Sequence, residues 1–142
     1  MKSIISINNI IDNYDNFIID QWGVMHDGAF GFDHAFDSIN ILSRNKKSLF
    51  IISNTSKRSN LSYNNLTNLG FNKDLFLNIL TSGEMIWQQL NTNFLNLNPK
   101  KNCFHIFDES KEDGLLIREG LNLNFVEKID DADIILACTP FI

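Results

Sequence analysis

A short apolar run that ends in an aspartate constrains the fold of this chain more than any other feature. Residues 17–28 read FIIDQWGVMHDG, so the run stops at Asp20 and two glycines follow. An apolar run bounded by turn residues is typical of a buried strand in a parallel sheet. Asp20 would then lie at the carboxyl edge of that sheet, where α/β folds bind ligands. Gly23 would let the backbone turn so that its N–H groups face an anion, although a single aspartate here could also be a simple cap.

A second apolar run, SLFIISN over Ser48–Asn54, ends in the polar side chains of Ser53 and Asn54. Ser53 follows Asp20 by 33 residues, close to the roughly 30 that a strand, a crossover helix and a parallel strand require. Apolar residues between the two runs repeat at helical spacing: Ala35, Phe36, Ile39 and Leu42. We therefore expect Asp20 and Ser53 to lie side by side at one edge of a parallel sheet.

These motifs resemble the haloacid dehalogenase superfamily of phosphohydrolases, in which one strand ends in Asp and a second ends in Ser/Thr-Asn. The later Thr81–Gly83, TSG, is similar to the nucleotide and sugar phosphatase branch, whose members carry a large cap inserted after the second motif. The pattern D-x-W-G-V-x-H-D-G at residues 20–28 resembles a bacterial subgroup of that branch. The resemblance implies an α/β fold: an incomplete, parallel, Rossmann-like core over residues 1–98, then the start of an inserted α/β cap over residues 99–142.

The resemblance also implies a chemistry. Asp20 would be the catalytic nucleophile, forming an aspartyl-phosphate from a small phosphorylated metabolite. Mg²⁺ would bind the Asp20 carboxylate and the backbone carbonyl of Trp22. Gly23, Ser53 and Asn54 would bind the phosphate.

Two departures from the family pattern lower the expected activity. Trp22 stands where the family has a second aspartate, and an indole cannot act as a general acid. The lysine and the acidic pair that complete the family site follow the cap, whereas this sequence reaches Ile142 inside it. We therefore expect a truncated or fragmentary form with little turnover and weak Mg²⁺ binding.

Two other functions stay open from the sequence. One is a non-catalytic protein that binds a phosphorylated ligand on the same fold. The other is a receiver-type signalling domain, which would need an acidic pair near the end of its first strand. Only Asp12 and Asp15 precede Asp20, and both fall in the preceding helical pattern.

Composition limits the possible binding partners and the cellular compartment. The net charge of −5 disfavours nucleic acid, and no apolar run approaches the length of a membrane span. Cys103 and Cys138 are isolated in apolar runs without metal-like spacing, so we expect buried free thiols and a cytoplasmic location. Strands left without later neighbours would expose apolar edges, so self-association is expected.

The remaining elements follow from periodicity and turn residues. Helices are predicted over Lys2–Asp15, over Ser59–Leu69, from a cap at Ser82, and from a capping box at Ser110 to Gly120. Strands are predicted over Leu75–Leu80, Cys103–Phe107, Asn124–Val126 and Asp133–Cys138. A linker is predicted over Asn91–Asn102. Spacing argues against a metal site at His26, Asp27 and His34, which are expected to be exposed loop residues. His105 is expected to be structural, and the acidic residues at 130, 131 and 133 to form a solvated turn.

Overall fold

The computed structural model describes residues 6–92, 101–109 and 114–138 of the 142-residue chain. The chain divides into two compact units. The first unit comprises Met1–Ser53 and Asn60–Leu80, and the second comprises Asn54–Ser59 and Thr81–Ile142. Among the described residues, no helix has the length and apolar character that crossing a membrane requires.

The first sheet has three strands in the order β1-β2-β3: β1 is Asn16–Asp20, β2 is Ser48–Ser53 and β3 is Phe76–Thr81. Helix α1, Asp33–Arg44, connects β1 to β2, and α2, Ser59–Asn68, precedes β3. Strands β1 and β2 are parallel, as the crossover spacing predicts. The predicted α/β class and the predicted parallel pairing of these two strands are therefore confirmed.

One face of this sheet carries the core of the first unit. Helix α1 buries Ala35, Ile39 and Leu42, the residues that recur at helical spacing in the sequence. They pack in one cluster with the buried β2 residues Leu49 and Ile51. The same cluster includes the buried apolar residues Ile11, Met25, Leu66, Phe71, Phe76 and Ile79.

The second unit contains α3, Ser82–Asn91, and a sheet in the order β5-β4-β6. Its strands are β4, Asn102–Ile106, β5, Asn124–Val126, and β6, Ile134–Ala137, and both β5 and β6 pair with β4 in parallel. Its buried apolar cluster is Cys103, Ile117, Leu123, Leu136 and Cys138. Both cysteines are free and buried, as predicted.

The predicted N-terminal helix is wrong for residues 6–15. Two short 3₁₀ helices, Ile7–Asn9 and Ile11–Asn13, stand in its place. Ser6 and Asn9 form a reciprocal capping box at the first of them. Ser, Asn and Asp side chains compete for backbone hydrogen bonds, so apolar periodicity alone does not sustain an α-helix in this segment.

Two other local predictions need correction or lie outside the described residues. Thr81 rather than Ser82 caps α3, because the Thr81 Oγ1 accepts the Glu84 N–H. A 3₁₀ helix at Leu116–Arg118 lies within the predicted 110–120 helix, whose first residues, 110–113, lie outside the description. The predicted boundary at 98/99 falls in residues 93–100, also outside the description, and stays a prediction.

Candidate active site

Asp20 and Ser53 end neighbouring parallel strands, as the sequence predicts. Asp20 is the last residue of β1 and pairs with Ile52, so Ser53 lies one residue further along β2. The Asp20 side chain is exposed, and its Oδ1 accepts the Gln21 N–H at 2.7 Å. This hydrogen bond orients the carboxylate at the carboxyl edge of the sheet.

The pleat of the sheet separates these two side chains in a way that the sequence did not indicate. Asp20 shares its face with Ile18 and Ile52, which are 72% and 49% exposed. Ser53 shares the opposite face with the buried residues Leu49 and Ile51, and is itself buried. Strand alternation therefore assigns Asp20 to solvent and Ser53 to the packed side. A common cleft for the two side chains stays a prediction.

The loop after Asp20 is closed by its own backbone. The Gln21 carbonyl accepts the N–H groups of Val24 and Met25 at 3.2 and 2.8 Å. The Gly23 N–H donates to the His26 carbonyl at 2.8 Å. Gly23 has φ +76°, a conformation that favours glycine, as the turn argument requires. Its N–H serves the loop in this structure, and its role in phosphate binding stays a prediction.

A buried polar pair joins this loop to α2. Gln21 and Ser62 are both buried, and the Gln21 Nε2 donates to the Ser62 Oγ at 3.0 Å. A satisfied buried amide fixes the residue next to Asp20, because losing its partner would leave a polar group in the core. Sequence reasoning missed this pair, since 41 residues separate its members and neither belongs to a recognisable motif.

Trp22 is 67% exposed and contacts the loop with part of its ring. Its ring meets the His26 ring edge to face at 6.1 Å between centroids. Gly28 has φ +99°, a conformation that favours glycine, and a Cβ there would lie 2.4 Å from Trp22 Cζ3, so a side chain at this position would require the indole to move. The hydrogen bonds that close the loop use the carbonyls of Gln21 and His26 and not that of Trp22.

The expectation that His26 is exposed is wrong. Its side chain is 3% exposed, and its Nδ1 accepts the Gly28 N–H at 3.0 Å. Burial lowers the pKa of His26, while the Asp27 and Asp20 carboxylates oppose that change. Asp27 is exposed, and its Oδ1 accepts the N–H groups of Ala29 and Phe30, which lower the pKa of its carboxyl.

The donors near Asp20 fit Mg²⁺ in type but are few. Within residues 6–92, 101–109 and 114–138, no group of three His, Cys, Asp or Glu side chains could hold a metal ion. The Asp20 carboxylate and the Trp22 carbonyl are oxygen donors of the kind that Mg²⁺ prefers. Octahedral coordination would need further oxygens, from water or from a phosphate.

In the second unit, the loop Asn54–Ser59 that follows β2 is held by the start of α3. The Thr81 Oγ1 donates to the Lys57 carbonyl at 2.6 Å and accepts the Glu84 N–H at 2.9 Å. The Gly83 N–H donates to the Thr55 carbonyl at 3.1 Å. The TSG motif thus has a physical basis, because its threonine and glycine both bind the backbone of this loop.

Gly83 is required by a close approach of backbone. A Cβ at this position would lie 2.0 Å from the Ser56 carbonyl oxygen and 2.7 Å from the Lys57 carbonyl oxygen. Both obstructing atoms belong to the main chain and cannot rotate away. Any larger residue would therefore displace the Asn54–Ser59 loop, which begins with the predicted phosphate ligand Asn54.

An ion pair completes this attachment. Arg58 binds Glu84 through two hydrogen bonds, Nε to Oε2 at 2.7 Å and Nη2 to Oε1 at 3.2 Å. The Ser59 N–H also donates to Glu84 Oε2 at 3.2 Å. The Arg58 guanidinium lies 3.7 Å above the Trp87 ring. Hydrogen bonding to Arg58 is the main cause that lowers the pKa of Glu84 and keeps it ionised.

Comparisons with known proteins agree with this architecture. The family model for haloacid dehalogenase-like hydrolases matches residues 17–117. No curated protein gave a match. Among solved structures, a hydrolase of the haloacid dehalogenase-like family from Brucella suis 1330 superposes with a TM-score of 0.77 at 22% identity. The similarity covers 93% of this chain and 45% of that one.

Two further structures share the fold. A glycerol phosphate phosphatase from Mycobacterium tuberculosis, solved in complex with calcium, has a TM-score of 0.61 at 18% identity, covering 93% of this chain and 36% of that one. A hypothetical protein from Pyrococcus horikoshii OT3 has a TM-score of 0.51 at 20% identity, covering 80% and 41%. The chain thus spans less than half the length of these three structures. The family match lends no support to a receiver domain, and this chain belongs to the haloacid dehalogenase-like hydrolases.

Proposed function

We propose that this chain carries the nucleophile of a phosphatase that acts on a small phosphorylated molecule. The observation that carries the proposal is the exposed Asp20 carboxylate at the carboxyl end of β1, within the segment that matches the hydrolase family. The name of one structural neighbour, a glycerol phosphate phosphatase, supports the substrate class.

The reaction proceeds in two displacements. An Asp20 carboxylate oxygen attacks phosphorus, the bond from phosphorus to the leaving oxygen breaks, and an alcohol or alkoxide departs. Water then attacks the aspartyl-phosphate and releases inorganic phosphate, regenerating the carboxylate. The hydrogen bond from the Gln21 N–H to Oδ1 restricts the rotation of the carboxylate and so favours attack through the other oxygen. Ser53 and Asn54 are the proposed side chains for binding the phosphoryl group.

Mg²⁺, when bound, would screen the repulsion between the carboxylate and the phosphoryl oxygens. The Asp20 carboxylate and the Trp22 carbonyl would hold it. Because this chain offers two protein oxygens near Asp20, we expect weak binding, detectable by calorimetry as an affinity no tighter than millimolar. Micromolar binding to the 142-residue chain would contradict this donor set.

A second candidate function is favoured by Trp22. Trp22 stands at the sequence position of the family's acid, and its indole lies against His26 and Gly28. Without a general acid, turnover of a substrate with a poor leaving group loses about 10²–10⁴-fold. The alternative is a protein that binds a phosphorylated ligand without hydrolysing it.

A covalent trapping experiment separates the two. Acetyl phosphate has a good leaving group and needs little acid assistance, so with Mg²⁺ it should phosphorylate Asp20. We expect a hydroxylamine-sensitive adduct with the mass of one phosphoryl group, located by peptide mass spectrometry. Asp20→Asn should abolish the adduct, and Asp37→Asn, at an exposed position of α1, should retain it. Ligand binding without an adduct would favour the alternative.

A further inference from the structure

The second unit contains an arginine, Arg118, whose charge has no acidic partner among the residues that the structure describes. Arg118 ends the 3₁₀ helix Leu116–Arg118 and is partly buried. Its Cζ lies 4.6 Å from the centre of the Phe125 ring and 5.1 Å from that of Phe107. No carboxylate in the part of the chain that the structure describes forms an ion pair with it.

A buried histidine holds one edge of this guanidinium. The Arg118 Nε donates to the His105 Nδ1 at 2.9 Å. Because an arginine Nε can only donate, the His105 Nδ1 must be unprotonated, and a neutral imidazole then carries its proton on Nε2. The His105 ring is 7% exposed and stacks on Phe107, with 4.5 Å between centroids.

The buried His105 ring makes the fold less stable than an apolar ring in the same place would. The His105 Nε2 is buried and has no hydrogen-bond partner within the described residues. An unsatisfied buried donor is destabilising, and an apolar ring could stack on Phe107 without leaving one. What the histidine provides is an acceptor that fixes the orientation of the Arg118 Nε. Unsatisfied groups of this kind call for a functional explanation.

The remaining donors of Arg118 define what it could bind. A guanidinium has five N–H donors, and His105 takes one, so the two Nη groups retain four. Their planar geometry matches two oxygens of a phosphate or carboxylate. The strands on which His105 and Phe125 lie are parallel, and Phe107 follows the carboxyl end of β4. The carboxyl edge of a parallel sheet is where α/β folds bind ligands.

We propose that Arg118 is an anion-binding residue of the second unit, with His105 as the residue that positions it. The ligand is a small molecule bearing a phosphate or a carboxylate, bound through the Nη groups. The site is built entirely within the second unit, and it does not depend on the phosphatase chemistry proposed for Asp20.

The test is an NMR titration of the ¹⁵N-labelled 142-residue chain with sodium phosphate and, separately, sodium acetate, against sodium chloride at matched ionic strength. We expect the Arg118 Nε–Hε signal and the Phe125 amide to shift saturably with one or both oxyanions. Comparing the two titrations tells whether the site prefers phosphate or carboxylate. Arg118→Met should abolish saturation, and Arg118→Lys should weaken binding at least tenfold because it loses the two-pronged geometry. Arg44→Met, an exposed position at the end of α1, should bind as the wild type does.

The role of His105 has its own readout. His105→Gln keeps an acceptor for the Arg118 Nε and should retain binding, whereas His105→Phe removes the acceptor and should weaken binding several-fold. Circular dichroism of each variant checks that it is folded. If the Arg118 signal follows ionic strength alone with both oxyanions, the proposed site does not exist. If His105→Phe binds as tightly as the wild type, the positioning role is wrong.

Discussion

Acidification should destabilise the second unit through His105. The pKa of His105 is lowered from 6.5 to about 4, mainly by burial and also by the positive charge of Arg118. A protonated imidazole could not accept the Arg118 Nε–H and would place two positive charges side by side. The folded state therefore binds this proton less readily than the unfolded state does.

The direction and size of the stability change with pH follow from proton linkage. Well above pH 6.5 the histidine is neutral in both states, so its protonation does not affect stability there. As the pH falls from 6.5 towards 4, the unfolded chain takes up a proton that the folded chain does not, and stability is lost. The full difference amounts to about 3 kcal/mol, at 1.36 kcal/mol per pKa unit, and about 2 kcal/mol of it appears between about pH 7 and about pH 5.

Urea unfolding followed by circular dichroism, at several pH values between about 7 and about 5, measures how the free energy of unfolding depends on pH. The acidic groups also titrate near the lower limit, so the informative quantity is the difference between wild type and His105→Phe. The variant should lose less stability over the interval, by about 2 kcal/mol. His34→Gln, at an exposed histidine of α1, is the matched control and should follow the wild type. If wild type and His105→Phe lose stability in parallel, His105 does not have the lowered pKa, and the reasoning from burial fails.

Three further predictions concern Gly83, Trp22 and the exposed sheet face of the first unit. Gly83→Ala should lower the free energy of unfolding by about 2 kcal/mol, because its Cβ would collide with the Ser56 carbonyl and displace the Asn54–Ser59 loop. In the same urea titration, the control Ser82→Ala, at the neighbouring exposed position, should change the free energy of unfolding by less than about 0.5 kcal/mol. Trp22→Asp should raise the steady-state rate on an alkyl phosphate by about 10²-fold or more and the rate on p-nitrophenyl phosphate much less, because only the poor leaving group needs an acid; equal changes on both substrates would contradict this. The chain should self-associate through the exposed apolar face that carries Ile18, so Ile18→Lys should shift size-exclusion elution towards the monomer, and a wild type that is already monomeric at every concentration would exclude this mode.

Apolar periodicity correctly predicted the elements whose residues are buried because their own side chains are apolar. Phe17, Ile19, Leu49 and Ile51 are apolar, and any packed fold must cover most of them, so the strands and their helical crossover followed from local pattern. The edge at which Asp20 lies followed in turn, because parallel strands joined by one crossover end on the same side. The same reasoning failed for residues 6–15, where polar side chains decide the backbone conformation.

Burial of polar residues was not predictable in this way, because it depends on a distant partner. Gln21 is buried because Ser62 satisfies its amide, and Glu84, in the first turn of α3, is ionised because Arg58 binds it. Their sequence separations are 41 and 26 residues. A lone glutamine or glutamate carries no local signal of such a partner, so sequence reasoning treats it as a surface residue.

The TSG motif shows how the two kinds of information combine. The resemblance identified Thr81 and Gly83 by their residue types, but their physical role depends on where the Asn54–Ser59 loop passes. Threonine provides both a cap for α3 and a donor to the Lys57 carbonyl, and glycine leaves the space that the Ser56 carbonyl occupies. These requirements are backbone contacts, so they constrain positions 81 and 83 whatever side chains the loop carries. The loop can therefore change its side chains while its attachment to α3 is preserved.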